Sequence, residues 1–288
     1  MLTGVRALAT ALENGATWTS WIHKTGGPTA GTAGRWCDAS MGAGIPKYNA
    51  YVGSQLTATA LANEGNAGIY LGPDPGAGLT RHINALQLQS TSTTLAPAWF
   101  VLADYLLFYP LVDGDSTDQQ DMDNTAPLPR YADGAGVQCM VVVTTPMAAN
   151  AVATVSYTNQ AGVAGRTSTF QVIASTNVGV IASSSDSSGA AGSVGPFIPL
   201  ASGDTGIRSI ESITLSSGAG GFFALVLVRP LANLQLRENV TATEIMQLPQ
   251  RATLPRVFDG AYLNFIYITN QTGTPTTLRG FVEFAWGS

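Results

Sequence analysis

Charge is scarce in this chain: Asp, Glu, Lys and Arg make up 11% of its 288 residues, against about 25% in an average soluble domain. Lysine is nearly missing, with Lys24 and Lys47 alone. No Lys/Arg cluster exists and the net charge is −5, which argues against binding nucleic acid through phosphate contacts. Two histidines, His23 and His82, and two cysteines, Cys37 and Cys139, stand too far apart for a recognisable zinc motif. The cysteines have no CxxC context, so free thiols in a reducing cytoplasm are the simpler reading than a disulfide framework. No run approaches the ~18–20 apolar residues of a membrane helix, and the N-terminal MLTGVRALATALENGATW does not read as a signal peptide.

Neutral residues fill the gap. Hydrophobic residues reach 45%, with 32 glycines, which excludes a disordered chain. A surface poor in lysine and glutamate costs little to desolvate, as suits a subunit largely covered by neighbours. The expected partner is therefore the chain itself, as a homo-oligomer such as a trimer.

Val5, Leu8 and Leu12 fall on one face of a short helix over Thr3–Glu13, with Thr3 as N-cap and Gly15 beyond its end. The following Gly-, Thr- and Pro-rich stretch reads as an extended arm. Residues 1–50 thus form a helix and an arm able to clamp a neighbour, and residues 51–288 form the β region. A second short helix is expected over Ser54–Glu64. From His82 onward the apolar/polar period is two. Strands are expected at 82–89, 98–112, 137–145, 152–157, 167–174, 178–182, 209–215, 222–228, 262–269 and 278–286, separated by Gly/Ser turns such as SSSDSSGAAGSVGP. The fold class is all-β: an antiparallel sandwich, jelly-roll-like.

An internal repeat organises the strands. LPRYADGA (Leu128–Ala135) recurs as LPRVFDGA (Leu254–Ala261), with six identities in eight positions. Each copy follows an apolar strand with a Pro-Leu exit, Pro110-Leu111 or Pro230-Leu231, and precedes a hairpin. The duplicated modules span about 98–175 and 221–288. Within them Asp-Gly supplies a tight turn, and Arg130 with Asp133, like Arg256 with Asp259, is placed to pair across it. Repetition marks these residues as structural.

One loop of the first module does not recur. Asp113, Asp115, Asp118, Asp121 and Asp123 crowd into eleven positions. Hard cations take six to eight oxygens, so these five aspartates with Asn124 form a Ca²⁺ or Mg²⁺ candidate; the alternative is a solvated or partner-facing acidic loop. Gly114-Asp115-Ser116 has the look of a hydrolase nucleophile block, but both histidines precede Ser116, the wrong order for the base. No catalytic residue and no other cofactor is expected. The aromatic strand holding Trp99, Phe100, Tyr105, Phe108 and Tyr109 reads as sandwich core and interface; combined with a cation in the acidic loop, it would alternatively serve a carbohydrate- or receptor-binding sandwich.

The run ADYLLFYPLVDGDSTDQQDMDNTAPLPRYADGAGVQCMVVVTTPM, residues 103–147, resembles a segment of virion structural proteins of tailed bacteriophages. The resemblance covers about a sixth of the chain and carries no catalytic motif. It implies a non-enzymatic β-rich subunit, assembled in the host cytoplasm and resident in the virion. Contacts would be with its own copies and with major capsid or other virion proteins, as a capsid decoration or cement protein, or else as a tail, neck or fibre-associated subunit.

Overall fold

The computed structural model describes residues 5–26, 34–63, 67–91, 95–183, 195–239, 244–247, 254–269 and 277–287. The Thr3 cap, part of the arm (27–33), most of the serine-rich turn (184–194) and parts of the second copy's long loop (240–243, 248–253) lie outside them.

The structure is an antiparallel all-β sandwich with one short helix. Its longest strands are β6 (Ala98–Asp113) and β12 (Phe222–Leu236). Both run through near-continuous apolar sequence, because the sheet they share is covered on both faces. This central sheet has the order β2-β15-β6-β12-β8, with β2 Trp36–Asp38, β8 Gln138–Val143 and β15 Tyr262–Thr269; β4 (Thr59–Ala60) also pairs with β6. Residues 178–182 hydrogen-bond to both of its edges: Ile181 N donates to Trp36 O, and Ala182 N to Val141 O. The sheet thereby closes into a ring, and no unpaired edge remains at that seam.

Two outer sheets pack on this ring. The first has the order β13-β5-β16-β1-β3, with β1 Thr17–Lys24, β3 Gly44–Ile45, β5 Thr80–Ser90, β13 Glu244–Gln247 and β16 Leu278–Gly287; β14 (Arg256–Val257) pairs with β5. The second has the order β10-β9-β11-β7, with β7 Gln120–Asp121, β9 Ala151–Asn159, β10 Arg166–Val172 and β11 Ile207–Leu215. Strand β9 alternates buried and open residues, because only one of its faces meets a core. Phe100, Leu102, Phe265 and Phe284 fill the core under the first outer sheet. Leu107, Tyr109, Tyr157 and Phe170 fill that under the second. Tyr105, Val226, Val228 and Tyr262 form a third core with Tyr51, Leu61 and Ile181. Among the described residues the sandwich thus has three sheets, the central ring and two outer sheets.

The ladders show an exchange symmetry between two sets of four strands, which at β5 and β11 reach beyond the repeated segments 98–175 and 221–288. The first set is β5, β6, β8 and β9; the second is β11, β12, β15 and β16. Every ladder of this frame joins the two sets: β5 to β16, β6 to β12, β6 to β15, β8 to β12 and β9 to β11. Swapping the two sets leaves that pairing pattern unchanged.

Several expectations are corrected. Ser54–Asn63 is not helical: Leu56 has a φ of 57°, and Thr59-Ala60 pair with Phe108 and Leu107 of β6. β-branched threonines and an available strand partner win over a weak helical period. The helix α1 (Val5–Glu13) buries Leu8 and Ala11 against Ala285, while Leu12 is 44% exposed. Its Gly15 end is as expected, with φ 67° and Ala16 N donating to Ala11 O. Pro110-Leu111 and Pro230-Leu231 are not strand exits. Both strands continue past them, and the β6–β12 register shifts where they sit, so each proline lies at a bulge. The described residues of the arm pack on their own chain. Strand β1 pairs along its whole length with β16, and β2 pairs with β15.

Candidate functional site

The repeated LPRxxDGA blocks are turns, with Gly134 at φ 70° and Gly260 at φ 72°. Within neither block does the arginine pair with the aspartate across the turn. Arg130 reaches Asp104 of β6 through two contacts of 2.8 Å, and its Nη2 also donates to the carbonyls of Leu61 and Tyr105. Tyr262 N donates to the same carboxylate at 3.0 Å. Both side chains are buried. Burial pushes the Asp104 carboxyl up, and Arg130 pulls against that shift. Asp133 instead accepts from Ala135 N, and the open Asp259 pairs with Arg81 at 2.9 Å. Arg256 lies over the Phe258 ring at 4.3 Å; that ring meets Tyr131 of the other copy edge-on at 4.8 Å, and Arg229 lies over Tyr131. The two turns therefore touch each other.

A second polar cluster lies in the third core. Asp38 accepts from the hydroxyls of Tyr51, Tyr105 and Ser40, and from Ser40 N at 2.8 Å. Burial raises its carboxyl above the usual range, with the hydroxyl contacts opposing. Nearby Lys24 donates to Gly42 O and Pro46 O. Burial lowers its ammonium to about 8, against the pull of Asp38. Both groups are sealed from solvent; Asp38 joins the N-terminal segment to Tyr105 of the ring, and Lys24 ties β1 to the carbonyls of Gly42 and Pro46.

The acidic loop is pinned by its own hydrogen bonds. Gln120 exchanges hydrogen bonds with the Asp113 backbone, and Asn124 bridges Tyr109 OH and Ile210 O. Asp113 caps Asp115 N, Asp123 caps Thr125 N, and Asp121 accepts from Gln119. Asp115, Asp118, Asp121 and Asp123 face solvent and Asp113 is half-buried. Among the described residues, no three His, Cys, Asp or Glu side chains come together as a cation site. Gly114 is tied to Gly221 and Ala219. His82 contacts Thr80 and Leu254 O on the first outer sheet, so it does not face Ser116. Cys37 and Cys139 are buried thiols.

Of the aromatic strand, Phe100, Tyr105, Phe108 and Tyr109 are buried and only Trp99 is half-open. Open aromatic surface lies instead where the sequence reading had placed the arm. On the solvent face of the first outer sheet, Trp21 pairs in register with Phe281 and then Gln87, and His23 with Arg279 and then Gln89. These side chains line a groove of about 540 Å³. Period two in TWTSWIHK, with Ser20, Ile22 and Lys24 inward and Thr19, Trp21 and His23 outward, was the available signal.

The solvent face of the second outer sheet has a different chemistry. Thr169, Thr154 and Thr214 stand side by side, as do Thr167, Ser156 and Ser212, with Gln171 beside Val152. The Thr154 and Thr169 hydroxyls are 3.3 Å apart. Burial alone would raise the Glu211 carboxyl, but Thr158, Ser156 and Gly165 N all donate to it and the net shift is downward. Asp204 takes Arg166, Tyr157 and Asn159 as donors, with Arg166 the largest influence, and its carboxyl is held at about 2. A group depressed in the folded state stabilises it above the ordinary carboxylate range, and that stability is lost as pH falls through about 2. Acid titration followed by circular dichroism should therefore show a shallower loss between pH 4 and 2 in Asp204→Asn than in the parent; equal slopes would exclude this contribution.

Comparison with protein-family models finds no match, and comparison with curated proteins finds none. Among solved structures, the crystal structure of the infectious bursal disease virus VP2 subviral particle aligns over 93% of this chain and 80% of that one. Its TM-score is 0.18 at 11% identity. A superposition that poor carries no argument about fold or role. Among the described residues, no helix is long and apolar enough to cross a membrane.

Proposed function

We propose that the protein is a structural subunit of a bacteriophage virion, a decoration or cement protein that acts by covering joints between subunits. The observation that supports this reading is the open polar face of the second outer sheet. Rows of threonine, serine and glutamine there are held in place by their own ladders; Glu211 among them is already matched by Ser156, Thr158 and Gly165 N, and Asp121 stands at the β7 edge. Burying the rows away from that edge loses little side-chain entropy and desolvates little charge, which is where interfaces usually lose affinity. The low charge of the whole chain and the phage-like segment point the same way. Partners are further copies of the chain and the major capsid protein. No chemistry is assigned to it; its work is to bury surface. A tail or neck position would use the same face in the same manner.

The test is copurification with intact particles. Thr154→Lys/Thr169→Lys places two ammonium groups on an open face and should leave the melting temperature unchanged. Its copy number per virion should fall about tenfold or more, as desolvating the new charges requires. Undiminished incorporation of the double variant, or absence of the parent protein from purified virions, would overturn the proposal.

A further inference from the structure

The groove on the first outer sheet has a composition that a passive joint does not need. Trp21 is 71% exposed, unusual for the largest apolar side chain on a stable strand. It meets Phe281 at 5.7 Å with the rings inclined by 70°, which fixes the indole while leaving it largely in solvent. Gln87 and Gln89 on β5 extend the two rows, and His23 and Arg279 stand paired on β1 and β16. Among the described residues, no carboxylate lines the groove. Its volume of about 540 Å³ falls within the range of small-molecule sites.

We propose that this groove binds a saccharide bearing a carboxylate. A sugar ring presents an apolar C–H face, which matches an exposed, immobilised indole. Its hydroxyls are donors and acceptors at once, and so is the primary amide of Gln87. The Arg279 guanidinium supplies the planar fork that receives a carboxylate in two hydrogen bonds, with His23 beside it. A second protein chain fits less well, since the aromatic strip is narrow and polar side chains border it. The assignment rests on the first outer sheet alone and stands apart from the role proposed for the second.

Purified full-length protein is applied to an array of neutral, uronate-bearing and sialate-bearing oligosaccharides, and hits are titrated by calorimetry. Acidic saccharides should bind, unaffected by EDTA. Trp21→Ala should weaken binding by about tenfold or more, and Arg279→Gln should abolish the preference for acidic over neutral sugars. Both side chains are exposed, so each variant should retain the parent melting temperature. Absence of binding to any sugar, or unchanged affinity in Trp21→Ala, would overturn the proposal. So would an oligomer that Trp21→Ala converts to monomer in sedimentation velocity, because the face would then belong to a second copy.

Discussion

Replacing Asp104 by alanine is expected to remove about 3–5 kcal/mol of folding stability, because it strands the buried Arg130 guanidinium without its partner. The same loss is expected from Arg130→Ala, which leaves the carboxylate and the carbonyls of Leu61 and Tyr105 unmatched. A domain of this kind has about 5–15 kcal/mol in total, so either variant should unfold at markedly lower denaturant. The control is built into the sequence. Arg256 holds the equivalent place in the second LPRxxDGA block, but it is exposed and lies over Phe258. Arg256→Ala should cost no more than about 1 kcal/mol. Equal losses for Arg130 and Arg256 would mean that the turn, not the buried pair, is what the arginine supports. Urea unfolding of the three variants at neutral pH decides between these outcomes.

The second large effect belongs to Asp38. Asp38→Ala leaves Ser40 N and one of the mutually hydrogen-bonded Ser40 and Tyr51 hydroxyls without an acceptor, and Tyr105 only with Phe265 O. At about 1–3 kcal/mol for each of the two buried groups left unmatched, the total is about 2–6 kcal/mol. Asp38→Asn keeps an acceptor and a similar volume, and its loss should be much smaller. The pH dependence separates charge from shape. A carboxyl raised in the folded state favours folding when protonated, so its contribution is lost as pH rises from the ordinary carboxylate range through the raised value. The parent should therefore lose stability relative to Asp38→Asn as pH rises from 4 to 7. Lys24 does not confuse that window. Its ammonium is depressed to about 8, so its contribution is present above the ordinary lysine range and lost as pH falls through about 8. A parent and variant whose difference is flat between pH 4 and 7 would show that Asp38 does not change charge there.

Much of the frame was legible because strand periodicity is local. Tyr262–Thr269 forms one strand with the expected bounds, and β6, β9, β11 and β16 begin and end within two residues of expectation. The LPRxxDGA repeat was legible as a pair of Asp-Gly turns because turn chemistry is also local. What failed depends on partners distant in sequence. Nothing near Arg130 indicates that Asp104, 26 residues upstream, outcompetes Asp133, three residues downstream. Pro110 and Pro230 look like strand ends until the opposite strand is seen to tolerate a bulge at each. The groove was invisible for the same reason: Trp21, Gln87 and Phe281 come from three strands that meet only in the folded sheet. The five aspartates drew attention by composition; in the fold four of them face solvent and Asp113 is half-buried.

The exchanged ladders have a consequence for synthesis. Strand β5 ends at Ser90, while its partner β16 begins at Leu278. At about 5–20 residues per second, the intervening chain takes on the order of 10–40 s to emerge from a ribosome. Until the second set follows, β5, β6, β8 and β9 lack their partners from it, and their edges are open to one another and to neighbouring nascent chains. Expression should accordingly be sensitive to temperature and to chaperone supply in a way that the finished protein is not. For the same reason, a gene split after Ser183, ahead of β11, β12, β15 and β16, would not yield two domains.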